Sequence, residues 1–373
     1  MILFLLAVSV IYFLFTLLLW LTWLRIPAVN PPQNGSAGPL VTVIIPVRNE
    51  ADNIGALLTD LDRQTYRNFE VIVADDSSTD QTGAVVQQHI RQASFPLRLL
   101  ALSDERTASP KKRAITQSIA IAQGHLILTT DGDCRVGPDW LSAFATFYQK
   151  TGLKLISGPV TFTTNQSVFD SLQTVEFSSL IGSGACTMAL GWPTMCNGAN
   201  LCYEKAAFAE VGGFAGVDQL ASGDDEFLMH KMAVRYPGEV GFLKSEKAVV
   251  RTQPHRSWKA FYNQRKRWAS KWRMYQSWAP TVLAVFIFLS NMSPLLAVVG
   301  WLLGFLNGTV TLSVVVLKVL PEFLFLRQVL VFLQKKSSVA AIPLTQLFYP
   351  VYVVFFGLVA QGKGYRWKGR DLS

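Results

Sequence analysis

Residues 2–24 (ILFLLAVSVIYFLFTLLLWLTWL) form an unbroken apolar run without a charged side chain. A helix needs roughly 20 such residues to cross the hydrocarbon core of a bilayer. Only a helix or a closed barrel satisfies its backbone groups at that depth. A cleavable signal peptide would want a basic start, a shorter apolar core and small residues before the cut. The run has none of these, so a retained transmembrane helix is expected over 1–25. A second apolar region covers 279–362, broken by Lys318, Glu322, Arg327 and Lys335-Lys336. Its pattern predicts two to three spans, near 280–303, 305–327 and 339–360. The middle piece has an alternative, a span followed by an interfacial helix PEFLFLRQVLVFLQKK. Prolines 294, 343 and 350 fall inside these segments, where membrane helices tolerate them.

The formal net charge is +9, and basic residues crowd beside the apolar segments: Arg25, Lys259–Arg273, Lys335-Lys336 and Lys363–Arg370. Such clusters mark the cytoplasmic side of a membrane. Three full C-terminal spans would put the basic tail (363–373) across the bilayer from the soluble middle. One segment is therefore expected to be re-entrant or interfacial. No nucleic-acid motif accompanies the charge, so a nucleic-acid partner is not expected. Cysteines 134, 186, 196 and 202 lack metal-site spacing and imply no disulfide scaffold, which suits a reducing compartment. A multi-pass protein of a bacterial inner membrane, its soluble part cytoplasmic, is the expected setting; the oligomeric state is not legible.

Residues 26–39 read as a linker, with NPPQNGSAGP at 30–39. Across 40–255 strand and helix patterns alternate four times. LVTVIIPV precedes a helix at 53–61, FEVIVADD a helix at 79–92, and LRLLAL a helix at 111–123; HLILTTD is the fourth strand. That order predicts an α/β domain with a mostly parallel sheet. Ligands of such sheets bind beyond the carboxyl ends of the strands. Two acidic clusters fall there, Asp75-Asp76 and Asp131-Gly132-Asp133. A carboxylate at the first position can accept hydrogen bonds from a base or ribose, or serve only as a strand-end turn. Two carboxylates around a glycine can share one hard divalent cation with phosphate oxygens. Asp224-Asp225 precede a helix whose Phe227, Leu228 and Met232 are predicted to face inward. Either acid could favour the helix dipole or take a proton from an attacking hydroxyl.

Residues 256–278 combine basic side chains with Trp258, Phe261, Trp268, Trp272 and Tyr275 on one helical face. The stripe suits either the headgroup layer or packing against the protein. Gln264, Arg267 and Trp268 stand at i, i+3 and i+4, so one helix presents them together. Arginine suits a departing diphosphate, which it can bind bidentately.

Six segments, VTVIIPVRNEADNI, VIVADDSSTD, KKRAI…GHLILTTDGDC, GANLCYEKAAFAEVGGF, SGDDEFL and QRKRW, occur in the order seen in membrane-bound family 2 glycosyltransferases. The resemblance covers about residues 40–270. It implies a GT-A fold, a Rossmann-like mostly parallel sheet here flanked by transmembrane helices. It also implies inverting hexosyl transfer from a UDP- or GDP-linked sugar to a lipid or other membrane-bound acceptor, with Mg²⁺ or Mn²⁺. By the same resemblance Pro46, Glu50, Asp75, Asp76 and Lys111 line the nucleotide-sugar site. Asp131 and Asp133 match the D-x-D, Asp133 the metal ligand with Asp131 as a second. Asp225 matches the base, and Asp224 stands where a glutamate is usual. Asn197 and Gly198 match the acceptor-side loop, and Gln264, Arg267 and Trp268 match Q-x-x-R-W. A processive polysaccharide synthase shares that last motif and is the alternative, although the C-terminal membrane part is short for a wide channel.

Overall fold

A computed structural model describes residues 2–30, 38–103, 107–163, 167–220, 222–269, 278–359, 365–367 and 370–372. Trp272, Tyr275 and much of the expected linker and basic tail lie outside them. In chain order the first elements are α1 (Ile2–Arg25), β1 (Val41–Val47), α2 (Ala51–Asp62), β2 (Phe69–Asp75), α3 (Thr82–Ile90), β3 (Leu97–Ala101), α4 (Pro110–Ile121) and β4 (Leu126–Thr129). Then come α5 (Trp140–Thr151), β5 (Leu155–Ser157), β6 (Val160–Phe162), α6 (Val168–Ala189), β7 (Leu201–Glu204), α7 (Lys205–Glu210), α8 (Glu226–Arg235), β8 (Val240–Phe242) and β9 (Val250–Thr252). The chain closes with α9 (Trp258–Ala269), α10 (Trp278–Leu302), α11 (Gly308–Phe332), α12 (Ile342–Val359) and the short strands β10 (Tyr365–Trp367) and β11 (Arg370–Leu372).

These elements form two compact units. One comprises Ile26–Thr163 and Gly184–Gln253; the other comprises Met1–Arg25, Thr164–Ser183 and Pro254–Ser373. The segment expected to be one globular stretch, 40–255, is thus interrupted by 164–183, most of α6.

The sheet unit carries seven strands in the order β3-β2-β1-β4-β7-β5-β8. β1 pairs in parallel with β2 and with β4, and β2 with β3. Val41, Val43, Ile44 and Ile45 of β1 and Leu126, Ile127 and Leu128 of β4 have no exposed surface. Each such side chain contributes about 1.5–3 kcal/mol of burial, which fixes the register. That register sets Val47 beside Asp75 and Ile44 beside Thr129. The carboxyl ends of β1, β2 and β4 therefore finish together. β7 departs from the parallel expectation, running antiparallel to both β4 and β5. Because Thr129 pairs with Leu201, the residues before β7 arrive at the end of β4. A second small sheet pairs β6 with β9. α3 begins at Thr82, three residues after its expected start, because Asp75 and Asp80 hold the loop between in turns.

Asn200 locks this region. Its side chain is fully buried; it accepts a hydrogen bond from Trp140 Nε1 (2.9 Å) and donates to the carbonyls of Pro159 and Ala248 (both 2.8 Å).

The helical unit contains the apolar helices. Among the described residues four are long and apolar enough to cross a membrane: Ile2–Arg25, Thr281–Leu302, Gly308–Phe332 and Lys336–Val359. α1 turns Leu3, Ile11, Leu14, Leu18 and Leu21 outward and buries Leu5, Ser9, Tyr12, Thr16 and Trp23. This inside-out pattern is that of a helix whose outer solvent is lipid. α11 continues through Pro321 to Phe332 without a break, so the expected alternative of a separate interfacial helix there is not adopted. Lys318 and Glu322 form a buried i,i+4 ion pair, and Tyr12 donates to the same carboxylate. An intramembrane charge needs such partners.

Asn200→Ala should strip partners from one buried N–H and two buried carbonyls. A loss of about 3 kcal/mol is expected, read as a lowered thermal midpoint of the purified protein.

Candidate active site

The site of the sheet unit is built at the end of β4. Thr130 N–H donates to the carbonyl of Ile44 (3.2 Å), and Cys134 N–H to that of Asp131 (3.1 Å), so the chain turns at once. Gly132 makes this possible. A Cβ there would stand 2.8 Å from Val47 Cγ1 and 3.1 Å from Glu50 Cγ, closer than packed carbons tolerate. Asp131 and Asp133 consequently leave the turn partly exposed, side by side in sequence with nothing bulky between. Asp133 Oδ2 accepts from Thr252 Oγ1 (3.2 Å). The following segment is clamped: Arg135 binds Asp60 on α2 through Nε (2.6 Å) and Nη2 (2.8 Å), and its backbone pairs with Arg251.

Lys111 is the electrostatic centre. Its Nζ lies 2.7 Å from Asp131 Oδ1 and 3.3 Å from Asp224 Oδ2. Burial works to lower its pKa, but the charges of Asp131, Asp224 and Asp225 raise it above the ordinary lysine range. Pro110 at the first turn of α4 presets the helix start that delivers this lysine. Burial also pushes the neighbouring Cys134 thiol up, with the charges of Asp133 and Asp131 adding to it. It therefore stays protonated.

Asp224 and Asp225 are held differently. Asp225 Oδ1 accepts from Glu226 N–H (2.8 Å) at the start of α8, and Oδ2 accepts from Gly198 N–H (3.0 Å). Asp224 turns to Lys111 instead. A Cβ at Gly198 would come 3.0 Å from Asp224 Oδ2 and 3.3 Å from Lys111 Nζ. Thr129 Oγ1 donates to the Gly198 carbonyl (2.8 Å), and Asn197 Oδ1 caps the turn by accepting from Ala199 N–H (3.0 Å). The structure thus gathers Lys111, Asp131, Asn197, Gly198, Asp224 and Asp225, with Asp133 beside Asp131 on the same turn. All are residues the sequence singled out.

At the β1 and β2 ends the expected acids are already engaged within the protein. Asp75 Oδ1 accepts from Ser78 N–H (3.0 Å) and from its hydroxyl. Asp76 is buried and accepts from Arg113 Nη2 (2.8 Å), while Arg48 donates to the carbonyls of Asp76 and Ser77. Glu50 accepts from Asn53 Nδ2 (2.7 Å), and Pro46 sits opposite Ala74 in the sheet. Asp80 binds the backbone N–H groups of Ala51 and Thr82. Slight burial works to raise its pKa; these bonds and the Thr82 hydroxyl outweigh it and lower the value. Sequence reasoning passed over Arg48, Arg113, Asp80 and Thr252. Arg113 had a signal: it stands two residues after Lys111 in the same KKR run.

Gln264, Arg267 and Trp268 lie on α9 in the helical unit. The residue between them, Arg265, is the buried one. Its Nε donates to Glu176 Oε1 (3.0 Å) and its Nη2 to Oε2, while Nη1 donates to Gln264 Oε1. Its guanidinium centre lies 4.6 Å from the Phe261 ring and 4.4 Å from that of Trp268. Trp268 stacks with Phe177, and Trp258 packs on Phe169. Phe261 and Trp268 thus pack within the unit, while Trp258 remains largely exposed.

Asp131 and Asp133 are the residues that would hold a divalent cation, with Asp131 also paired to Lys111. Among the described residues no group of three or more His, Cys, Asp or Glu could hold one. Two carboxylates are the usual protein share for Mg²⁺, whose remaining positions go to water and phosphate oxygens.

The mostly parallel α/β sheet has a counterpart among solved structures. A mannosyltransferase from Pyrobaculum calidifontis, solved with GDP-Man and Mn²⁺, superposes with a TM-score of 0.55 at 19% identity, covering 92% of this chain and 99% of that one. The fold is thus GT-A, flanked in sequence by the apolar helices. The model of glycosyl transferase family 21 matches residues 1–373, and the chain belongs to that family. The match supports a glycosyltransferase, the class the motifs suggested. Glycosyltransferase AglE of Haloferax volcanii is 34% identical over 127 residues, 34% of this chain and 40% of AglE. The poly(ribitol-phosphate) β-N-acetylglucosaminyltransferase TarS of Staphylococcus aureus is 31% identical over 108 residues, 28% of this chain and 18% of TarS. The chain spans less than half the length of these two curated relatives.

Gly132→Ala tests the D-G-D turn. The added methyl group should push the turn off Val47, read as local shifts of Asp131 and Asp133 in a structure of the variant. The thermal midpoint should fall by only a few degrees.

Proposed function

We propose that this chain transfers a sugar, with inversion, from a nucleotide-linked donor to a hydroxyl of a lipid or other membrane-associated acceptor, with a divalent metal as cofactor. The observation that carries the reading is Lys111 standing between Asp131 of the D-G-D turn and Asp224, with Asp225 and Gly198 adjoining. Support for a nucleotide-sugar donor comes from the GDP-Man held by the Pyrobaculum enzyme of the same fold.

Asp133, with Asp131, would hold Mg²⁺ or Mn²⁺, which supplies positive charge to a diphosphate leaving group. Lys111 adds a second cation from the protein side. Pro46, Glu50, Asp75 and Asp76 line the nucleotide end, the two aspartates shaping it through Ser78 and Arg113 as well as by contact. Asp225 takes the proton of the acceptor hydroxyl. Its two oxygens are aimed by the Gly198 and Glu226 N–H groups, so little reorganisation is needed when the hydroxyl arrives. The oxygen attacks the anomeric carbon from the face opposite the departing diphosphate, and one displacement inverts the centre. Asn197 and Gly198 border the acceptor, and Gln264, Arg267 and Trp268 keep the acceptor or diphosphate role that their match to Q-x-x-R-W implies. The D-D-D-QxxRW arrangement of family 2 enzymes is the pattern followed. The four apolar helices and the basic clusters support a membrane location, with the sheet unit cytoplasmic at a bacterial inner membrane.

Asp225→Asn should lower transfer by 10²–10⁴-fold while titration shows donor binding retained. Lost donor binding with transfer intact would overturn the assignment. Lys111→Met should weaken donor binding more than Lys111→Arg does. A donor screen with membranes, followed by mass spectrometry of new glycolipids, should reveal products bearing a single added sugar. Long chains would favour a polymerising synthase instead.

A further inference from the structure

α1, α10 and α11 share a common axis. α10 runs against α1: Phe286 meets Tyr12 and Phe15, Ser293 meets Ser9, and Ala297 meets Leu5. α11 runs with α1: Val314 joins Leu5, Glu322 binds Tyr12, and Phe332 packs edge-on to Trp23. Tyr12 therefore marks one level of the bundle, shared with Phe286 of α10 and Glu322 of α11.

α12 does not follow this axis. Near its start, Gln346 Nε2 donates to the Val319 carbonyl (2.8 Å) and reaches Glu322 Oε2 (3.4 Å). Near its end, Gly357 lies against Phe288, whose ring a Cβ would meet at 3.1 Å. Both contacts are at the Tyr12 level. The eleven residue steps from Gln346 to Gly357 span about 16 Å of helix, yet the advance along the bundle is about 3 Å, the rise from Phe286 to Phe288. Between these points Tyr352 donates to Glu176 Oε1 (3.0 Å), the carboxylate that holds Arg265 of α9. Phe356 packs on Phe261 and Tyr262 of α9. The chain then continues to β10, which also lies against α9. The outward face of α12 is an apolar stripe: Leu344, Leu347, Phe348, Val351, Phe355 and Leu358.

We propose that α12 does not cross the membrane. It lies transverse to the three crossing helices with its stripe on lipid acyl chains, entering from the side of Arg25 and returning to it. α10 runs against α1 and so starts at the Arg25 end of the bundle, and α9 directly precedes it in the chain, so Arg25 and α9 mark the same end. The basic C-terminal segment then stays there too, and all four basic clusters share one face, as charge requires. The same segment would sit with the N-terminus if α12 crossed.

The test uses the full chain in sealed vesicles with epitope tags before Met1, within residues 31–37 and after Ser373. Protease should reach the tag after Ser373 together with the tag at 31–37, and the tag before Met1 only from the opposite face. Protection of the tag after Ser373 alongside the N-terminal tag would overturn the proposal. Spin labels on Leu347→Cys and Leu358→Cys provide a second measurement independent of the tags. They should report bilayer depths within a few ångströms of each other, and a separation of about 16 Å would also overturn it.

Discussion

Carboxylates converge from two separate stretches of chain on one small volume, and that convergence needs a cation from a third. At an effective dielectric of about 20, two like charges a few ångströms apart cost several kcal/mol. Lys111 offsets this for Asp131, Asp224 and Asp225 at once. The arrangement depends on α4 starting where it does, on β4 ending where it does, and on Gly198 leaving room for both groups. The rest of the sheet unit can be read as the framework that keeps these three points in place.

The framework owes much to a strand of the wrong direction. A fifth parallel strand beside β4 would have brought its own carboxyl end to the site. β7 is antiparallel, so it brings its amino end, and with it the Asn197–Asn200 turn. That turn supplies backbone N–H and carbonyl groups to Asp225 and Thr129 without adding a side chain. Asn200, three residues beyond Asn197, ties the turn down through Trp140, Pro159 and Ala248.

The elements legible in the sequence were those with a long periodic signal. β1 to β4, the helices between them and the four apolar segments follow from hydrophobic pattern alone. β5, β6, β8 and β9 are three residues each, too short for any period to be seen. Asp131, Asp133 and Asp224 stood out by type and local spacing, and the structure brings Asp131 and Asp224 to Lys111. Residues that act through a distant partner did not stand out. Arg135 matters because of Asp60, 75 positions earlier, and Arg265 because of Glu176, 89 positions earlier. Arg265 was hidden inside a recognised motif, at a position the motif leaves unspecified.

α6 is shared between the units: Thr164–Ser183 falls in the helical one and Gly184 onward in the sheet one. Val175, Phe177 and Ile181 on its first part are buried there. The apolar helices are thus not a detachable leash for an otherwise self-sufficient enzyme. A version trimmed to 26–253 would keep these three side chains but lose the helices of their unit, presenting a sticky ridge to water. Solubility engineering of this chain has to begin on α6, and a lineage that shed its membrane helices would have had to rewrite that helix first.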